Sequence, residues 1–317
     1  MTLDNIKEEI FESKNIVILT HEVPDGDAVG SSLAMYMGLK QLGKEVDVII
    51  PKYSKTFEFL PCANEIKAEG KNENYDLAIA LDCGDIKRLN GFANYFEDAN
   101  TKIQIDHHEA NTMFADYNFV NPTSPACCQI LITVLKTLGV EITKDIGTCL
   151  LTGIITDTGG FQYQNVKPET FEFAAELLRC GVNVSNIYKQ AMQIKSKANF
   201  ELRKFAMDRM QFLEEGKIAF TYITTEDEQK VGAEEGDHEG IVNLGRDIEG
   251  VEVSIFLHQA EDGAYKVSLR SNNYLNVDDV CLMFGGGGHQ RAAGCKISGE
   301  PEEIKSKIIN EIKKSLK

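Results

Sequence analysis

The sequence predicts an α/β protein with a largely parallel sheet flanked by helices, a helical linker, and a second, smaller α/β domain with a mixed sheet. Short apolar runs alternate with helical patterns over about the first 180 residues, which is typical of strands joined by crossover helices. A stretch without Gly or Pro, Ile187–Glu214, then separates these runs from a second set of strand-like segments. The 317 residues fit two ordinary domains, predicted at 1–185 and 217–317 with the linker at 186–216.

In the first domain, four apolar runs have the length of strands: Ile16–Thr20, Val46–Ile50, Leu77–Leu81 and Lys102–Ile105. The apolar spacing between Leu33 and Leu42 predicts a helix that ends at Gly43. Further helices are expected around Ala126–Leu138 and over Glu169–Arg179. The run Leu150–Ile155 fits either a strand or the end of a helix.

The second domain shows the same alternation on a smaller scale. Its expected strands are Lys217–Ile223, Val251–Leu257 and Ala264–Leu269. Its expected helices lie near His238–Arg246, Val277–Phe284 and Glu302–Leu316.

Composition limits the classes of partner and compartment. The net charge of −16 argues against a long nucleic-acid duplex, although a small anion can still be held locally. None of the eight cysteines forms a CxxC pair, and neither a signal-peptide segment nor a run of 18 apolar residues occurs. We therefore expect a cytoplasmic protein with reduced cysteines and no membrane contact.

Polar residues directly follow several apolar runs, where an open parallel sheet gathers its functional loops. They are His21 with Asp25 and Asp27, then Asp82, then Asp106 with His107 and His108, and finally Asp157. Carboxylates about 4 Å apart repel by roughly 4 kcal/mol per pair at an effective dielectric of about 20, so a cluster of them needs cations. Three of these segments follow predicted strands, and Asp157 is expected at the same edge.

A cluster of two imidazoles and four carboxylates balances two divalent ions. The predicted ligands are His21, Asp25, Asp27, Asp82, His107 and Asp157. This set without thiolate suits Mn²⁺ better than a structural zinc site, and it leaves Mg, Fe and Co open. Two such ions can share a bridging water and clamp a phosphoryl group, so phosphoester hydrolysis is the predicted chemistry.

The remaining polar residues of these segments have predicted roles in catalysis. Asp82 or Asp157 would bridge the ions, and Asp106 would hold a neighbouring imidazole. His108 is then available as a phosphate contact or general acid. Two simpler interpretations stay open: Asp25 or Asp27 alone is also explained as a helix cap, and the His pair as alternating residues at a strand end.

The C-terminal segment FGGGGHQRAAG, residues 284–294, predicts a substrate contact. Amides of successive glycines can form an anion-binding nest, although such a run is also explained as a flexible turn. We expect substrate contacts from Gly286, Gly287, Gly288, His289, Arg291 and Arg270. For Arg246 a ligand contact and a solvated surface charge are equally supported.

The segments HEVPDGDAVGS, LDCGD, IDHHEAN and TDTGGF, in this order, resemble the DHH family of phosphoesterases. The glycine-rich segment resembles the family's associated substrate-binding domain, so the likeness covers almost the whole chain. It implies metal ligation by the six residues predicted above and a phosphate contact by His108. Two positions depart from the family pattern, Ala110 before Asn111 and Gln162 where a basic residue is common; the second leaves one phosphate contact undetermined.

The resemblance implies hydrolysis of very short RNA to mononucleotides and of 3′-phosphoadenosine 5′-phosphate to AMP. It also implies that the second domain grips the nucleotide while the cleft between the domains limits substrate length. The chain length resembles that of the short stand-alone members, without the extra domains of the long exonucleases or the membrane and sensor segments of others. That the protein forms a homodimer is a further hypothesis.

Three other functions remain open at this stage. A phosphodiesterase for cyclic or linear dinucleotides would use the same metal site, and the sequence does not separate it. A family II inorganic pyrophosphatase would need a more basic C-terminal clamp than the glycine-rich segment provides. A catalytically silent nucleotide-binding regulator is the alternative of another class, disfavoured because every expected ligand is present.

Overall fold

The computed structural model describes residues 3–71, 74–234, 236–260 and 262–316. The chain divides into two compact units, the first ending at Ile194 and the second beginning at Lys195. This division falls inside the predicted linker 186–216, whose exact bounds stay a prediction. The outer ends of the predicted domains, residues 1 and 317, lie outside the described residues.

The first unit is built on a parallel sheet, six-stranded within the described ranges, in the order β3-β2-β1-β4-β5-β6. Its strands are β1 (Asn15–Leu19), β2 (Glu45–Ile49), β3 (Ile66–Lys67), β4 (Leu77–Leu81), β5 (Thr101–Asp106) and β6 (Tyr117–Val120). Its helices are α1 (Leu3–Glu12), α2 (Gly26–Gln41), α3 (Ala93–Glu97), α4 (Cys127–Thr137), α5 (Lys144–Asp157), α6 (Pro168–Arg179) and α7 (Val184–Tyr188). Every residue of β4 is buried, as expected for an inner strand of a parallel sheet covered on both faces.

The strand order reverses between β1 and β4. From β1 the chain proceeds outward to β2 and β3, and then returns to β4 on the other side of β1. The carboxyl ends of these two strands therefore flank the crevice at which open α/β sheets bind ligands.

The run Leu150–Ile155 belongs to α5, so Asp157 is the last residue of a helix rather than a residue after a strand. Of the two interpretations left open for this run, a strand or the end of a helix, the helix is the correct one. A fully buried helix segment has the same continuous apolar composition as a buried strand, and periodicity does not separate the two.

The second unit has a mixed sheet in the order β11-β12-β10-β9-β8-β7, six-stranded in the part of the chain described. Only the β8–β9 pair among these is parallel. Its strands are β7 (Gln211–Leu213), β8 (Ile218–Ile223), β9 (Val253–Gln259), β10 (Tyr265–Ser271), β11 (Gly287–His289) and β12 (Ala292–Ile297). Its helices are α8 (Lys197–Asp208), α9 (Thr225–Val231), α10 (Asn243–Arg246), α11 (Val277–Leu282) and α12 (Pro301–Ile312).

Short elements account for most differences from the sequence predictions. The helix expected near His238–Arg246 is reduced to α10, and strand β7 lies inside the segment predicted to be a helical linker. The glycine-rich segment contributes an edge strand, β11, which pairs with β12. These elements are three or four residues long, too short to show a periodicity. Among the helices of the described chain, none combines the length and apolarity needed to cross a membrane.

Candidate metal centre and active site

Three strand ends bring the predicted site residues to the crevice of the first unit. His21 lies two residues after β1, Asp82 directly follows β4, and β5 ends at Asp106 with His107 after it. Asp82 has a φ of 52°, in the left-handed region that non-glycine residues rarely occupy. Such a backbone conformation at the end of a strand turns the chain and its side chain sharply.

The N-terminus of α2 supplies two further carboxylates. Asp25 is its N-cap and accepts hydrogen bonds from the amides of Asp27 and Ala28 at 3.0 and 3.1 Å. The fully buried Asp27 accepts from the amides of Cys127 and Cys128 at 2.5 and 2.9 Å, so it caps the N-terminus of α4. The capping interpretation is therefore correct for both residues, and it holds their carboxylates at the crevice.

Helix α5 brings Asp157 to the same place because it packs unusually close to α2 and α4. A Cβ atom at Gly153 would lie 2.5 Å from Asp27 Oδ1 and 2.9 Å from Asp27 Cα. A Cβ atom at Gly30 would lie 2.5 Å from the carbonyl oxygen of Cys149. Glycine at these two positions permits the close approach of the helices, and Asp157 follows Gly153 by one helical turn.

The six predicted ligands lie together. His107 Nε2 is 3.3 Å from Asp82 Oδ1, 3.4 Å from Asp157 Oδ2 and 3.9 Å from Asp27 Oδ2. His21 Nε2 is 3.6 Å from the other oxygen of Asp82, Oδ2. Candidate ligand atoms within 4.8 Å of one another come from three sets of the first unit: His21, Asp25 and Asp82; Asp27, His107 and Asp157; and Asp82, His107 and His108. Asp82 Oδ2 thus faces His21, and Asp82 Oδ1 faces His107.

A second chain of hydrogen bonds fixes the orientation of His108. Asp106 Oδ1 is 2.7 Å from His108 Nδ1, and Asp106 Oδ2 accepts from the Asn111 side-chain amide at 2.6 Å. The buried Asp106 holds the neighbouring imidazole, as predicted, and that imidazole is His108. An Nδ1–H donated to a carboxylate leaves Nε2 as the nitrogen that can face a substrate.

His107 is oriented by the backbone. Its Nδ1 lies 3.3 Å from the carbonyl oxygen of Ser124. A carbonyl oxygen accepts but cannot donate, so Nδ1 carries the proton and the lone pair of the neutral ring is on Nε2, the atom that faces Asp82 and Asp157. In the neutral ring, Nε2 is therefore the nitrogen that can coordinate a metal ion.

The electrostatics of the cluster follow from its burial. Burial raises the pKa of Asp27 to about 7, with the Asp82 charge as a further cause. The pKa of Asp157 is raised by burial and by the charges of Asp25 and Asp27. Burial opposes ionisation of Asp82 as well, but the neighbouring imidazoles of His107 and His21 outweigh it and lower its pKa. The carboxylates thus compete for limited positive charge, which is the condition a bound divalent cation relieves.

The donor set fits divalent metal ions. Four carboxylates and two imidazoles carry four negative charges when ionised, equal to the charge of two dications. Asp82 Oδ1 and His21 Nδ1 are buried atoms with no hydrogen-bond partner in the described structure. At Asp82 Oδ1 an unpartnered buried acceptor faces the cluster, where metal coordination would satisfy it.

The predicted substrate residues of the second unit have mixed surroundings. The amide of Gly286 donates to the carbonyl oxygen of Cys281 at 3.0 Å, and Gly287–His289 forms edge strand β11. The predicted anion nest is therefore not formed at Gly286, because that amide already has a partner, whereas β11 presents a strand edge. His289 is exposed.

The three arginines also have protein partners. Arg291 donates to the carbonyl oxygens of Leu275 and Asn273 at 2.8 and 2.6 Å. Arg270 donates to the carbonyl oxygen of Leu269 at 3.0 Å, and Arg246 to Asp247 Oδ1 at 3.1 Å. Arg291 therefore braces the turn at Asn273–Leu275, a role that the sequence interpretation did not include.

Some residues that orient the site were not predicted. Asn111 and the carbonyl of Ser124 position Asp106 and His107, and Gly153 allows Asp157 to approach. Asn111 stands within the motif IDHHEAN, and this position was the sequence signal that could have indicated its role. A backbone carbonyl leaves no signal in residue identity.

Buried imidazoles and carboxylates at the switch point of a parallel sheet define an α/β protein with a candidate bimetal site. The sequence pattern of the DHH family, N-terminal domain, matches residues 15–154, and that of the DHHA1 domain matches residues 215–317. The chain belongs to the DHH family.

Several relatives match nearly the entire chain. The bifunctional oligoribonuclease and PAP phosphatase NrnA of Thermus thermophilus is 35% identical over 305 residues, covering 95% of this chain and 90% of the relative. The protein of the same name from Mycoplasma genitalium is 26% identical, covering 96% of this chain and 95% of the relative. Among solved structures, an exopolyphosphatase-related protein from Bacteroides fragilis superimposes with a TM-score of 0.91 at 28% identity, covering 98% of this chain and 95% of that one.

Proposed function

We propose that this protein is a two-metal phosphoesterase that hydrolyses short oligoribonucleotides to mononucleotides and 3′-phosphoadenosine 5′-phosphate to AMP. The observation that carries the proposal is the convergence of His21, Asp25, Asp27, Asp82, His107 and Asp157 at one crevice. The substrate assignment is supported by the activities in the names of the Thermus and Mycoplasma relatives.

In this proposal two divalent ions, Mn²⁺ as the preferred species, are held by the six residues. His21 and Asp25 would hold one ion, Asp27, His107 and Asp157 would hold the other, and Asp82 would serve as a ligand shared between them. The assignment of Asp82 as the bridge is supported by its two oxygens, which face His21 and His107 respectively. When bound, the pair of ions lowers the pKa of a water molecule and neutralises charge on the phosphoryl oxygens.

The protein's own residues bind and orient the phosphate. His108, held by Asp106, contacts a phosphoryl oxygen or donates a proton to the leaving group. Hydrogen bonding to Asp106 raises the pKa of His108 against the opposing effect of burial, which favours the protonated ring needed for either role. Asn111 limits rotation of the Asp106 carboxylate and so keeps the imidazole in place.

The second unit provides the nucleotide-binding residues in this proposal. Strand β11 presents glycine backbone and the exposed His289, while Arg270 contributes positive charge. Arg291 acts by holding the turn at Asn273–Leu275 as well as by its charge. The net charge of −16 disfavours long polyanions, which supports short substrates. Action in the cytoplasm and a homodimeric state remain predictions, the second tested by sedimentation equilibrium of the full chain.

Product analysis with added Mn²⁺ tests the substrate assignment. The panel contains 3′-phosphoadenosine 5′-phosphate, RNAs of two to about ten nucleotides, cyclic dinucleotides and pyrophosphate. We expect turnover of the first substrate and of the shortest RNAs, with rates falling as RNA length increases. Preferential turnover of cyclic dinucleotides or pyrophosphate would contradict the assignment, and binding without any product would identify a silent nucleotide-binding protein.

The Asp82→Asn variant tests the metal site itself. Asn tolerates the left-handed backbone conformation at this position, so we expect the fold to be retained. Loss of the bridging charge should lower kcat by about 10³-fold or more and reduce bound Mn²⁺, as measured by steady-state kinetics and elemental analysis. The matched control is Asp98→Asn, an exposed aspartate of the same unit, which should behave as wild type. A near-normal rate for Asp82→Asn on dinucleotides would overturn the assignment.

A further inference from the structure

Three potential metal ligands of the second unit lie together and have no part in the function proposed above. Glu228 lies on α9, His238 in the loop before α10, and His258 on β9. One ligand atom from each residue lies within 4.8 Å of the other two. Three elements that are distant in sequence thus bring a carboxylate and two imidazoles to one point.

The backbone around His238 is held in place by α8. The Asn199 side-chain amide donates to the carbonyl oxygens of Asp237 and Glu239, at 2.6 and 3.1 Å. Ser196 Oγ donates to Asp237 Oδ1 at 2.6 Å. Both neighbours of His238 are therefore fixed, and the imidazole is presented from a braced loop.

Helix α9 is anchored in a similar way. Asp227 accepts from the amide and the hydroxyl of Thr224 in a capping box and forms an ion pair with Arg209. These bonds fix the first turn of α9, from which Glu228 extends. Glu228 Oε1 lies 2.9 Å from His258 Nε2.

The two imidazoles are stacked, with ring centroids 3.9 Å apart and an angle of 27° between the planes. His238 Nδ1 and His258 Nδ1 are both buried, and neither has a hydrogen-bond partner in the part of the chain described. Coordination through His258 Nε2, the nitrogen next to Glu228, requires the ring proton to be on Nδ1. A buried nitrogen left unpaired destabilises the folded state, and coordination of His238 to a cation is one way to relieve this.

Burial, together with nearby positive charge, favours the neutral form of both rings. Burial lowers the pKa of His238 to about 3, with His258 and Lys266 as further causes, and burial together with Lys266 lowers the pKa of His258 to about 4. Lys266, the register partner of His258 on β10, is exposed, so solvent screens its charge from a bound cation. Asp237, next to His238, has the opposite sign.

We propose that Glu228, His238 and His258 bind one divalent transition ion of the Zn²⁺ type, with water completing the coordination. Two imidazoles and one carboxylate form a ligand set that Zn²⁺ accepts, leaving a fourth position open. Tetrahedral ligands at about 2.0–2.1 Å lie roughly 3.3 Å apart, so Glu228 Oε1 and His258 Nε2, now 2.9 Å apart, must separate slightly on binding. The ion would link α9, β9 and the loop before α10.

Metal stoichiometry of the full chain tests this site independently of catalysis. The chelator-treated protein is loaded with Zn²⁺, desalted and analysed for Zn per chain, and Co²⁺ loading is followed by visible absorption. We expect the double variant His238→Ala/His258→Ala to bind one ion fewer per chain than wild type. The control His289→Ala removes an exposed histidine of the same unit and should leave the count unchanged.

A second variant tests the same site if the double variant does not fold. Glu228→Gln keeps the shape of the side chain and should weaken one class of Zn²⁺ sites by about tenfold or more, as measured by competitive titration. Asp82→Asn should leave this class of sites intact, because Asp82 belongs to the cluster of the first unit. This result would distinguish the two metal sites. Equal Zn²⁺ counts for wild type and a folded double variant would overturn the proposal, as would unchanged Zn²⁺ affinity in Glu228→Gln.

Discussion

At the scale of single residues, several buried polar groups of the site are held by a specific partner. Asp27 is held by two backbone amides, His107 by one carbonyl oxygen, and His108 by Asp106. Buried carboxylates without such partners would not remain charged. The local bonds therefore determine which atoms are directed into the crevice and which are used to hold the side chains.

The Asp106–His108 pair gives a prediction about orientation. An Asp106→Asn side chain can accept only one of the present hydrogen bonds well, so His108 should lose its fixed tautomer. We expect kcat on short RNA to fall about 10–100-fold while bound Mn²⁺ is unchanged, and the pH–rate profile to shift. Asn111→Ala, which removes a bond to the same carboxylate, should have a smaller effect in the same direction. Wild-type kcat in Asp106→Asn would contradict this role.

The Asp227–Arg209 pair gives a prediction about acid stability. Burial opposes ionisation of Asp227, but the Arg209 hydrogen bond outweighs it and lowers the pKa to about 2 from an ordinary value of 3.8. A carboxylate with a lowered folded-state pKa stabilises the protein fully above its unfolded pKa and loses this effect as pH falls. Asp227→Asn should therefore cost about 2 kcal/mol near pH 7, and the difference from wild type should shrink between about pH 4 and pH 2.

Urea unfolding at several pH values measures this difference. The control is Asp247→Asn, whose ion pair with Arg246 involves a carboxylate that is 66% exposed. An exposed pair of this kind should contribute less than about 1 kcal/mol. A pH-independent difference between Asp227→Asn and wild type would contradict the linkage.

At the scale of elements, close packing of α2, α4 and α5 determines where the ligands meet. Asp27 belongs to α2 but caps α4, and Gly153 of α5 packs directly against it. The hydrogen bonds and the close approach fix the relative positions of three helices. Asp157 reaches the cluster only because α5 lies this near.

Gly153→Ala tests the role of this packing. Its Cβ would contact Cys128 Sγ and Asp27 too closely, so α5 must shift away from α2. We expect a loss of about 1–3 kcal/mol of stability, despite the better helix propensity of Ala, together with reduced Mn²⁺ affinity. Thermal unfolding and metal titration measure both effects. Gly91→Ala is the matched control, since a Cβ there meets no atom of the described residues within 4 Å; equal behaviour of the two variants would contradict the packing argument.

At the scale of the whole molecule, each unit has its own hydrophobic core and its own sheet. The proposed metal ligands all belong to the first unit, and the predicted nucleotide-binding residues to the second. The chain carries a net charge of −16, to which the carboxylates of the cluster contribute when ionised. Binding of divalent cations should therefore stabilise the native state.

Thermal unfolding with and without Mn²⁺ tests this expectation. An ion that binds only the folded state adds about 2.7 kcal/mol at a free concentration of 100 times its Kd. We expect Mn²⁺ to raise the Tm of the chelator-treated protein, with much less effect on Asp82→Asn. The same increase in wild type and Asp82→Asn would place the stabilising ion elsewhere.

Much of the fold and of the site could be predicted because the signals are local. The strands β1 and β4 are largely apolar runs, β5 has Ile103 and Ile105 in its buried part, and site residues lie at or just after the end of each strand. Short elements such as β7, β11 and α10 carry too few residues for a periodic signal. The cluster of Glu228, His238 and His258 was missed because its members are separated in sequence and share no motif.

The sequence by itself determined the α/β class, the family and the set of residues at the crevice, since each follows from residue identity and its position after an apolar run. The tertiary structure decided that Asp157 comes from a helix, that Asp106 holds His108, and that Arg291 donates to two backbone carbonyls. These facts depend on distances between elements far apart in the chain. Packing and hydrogen-bond geometry set such distances, and no pattern within a short segment encodes them.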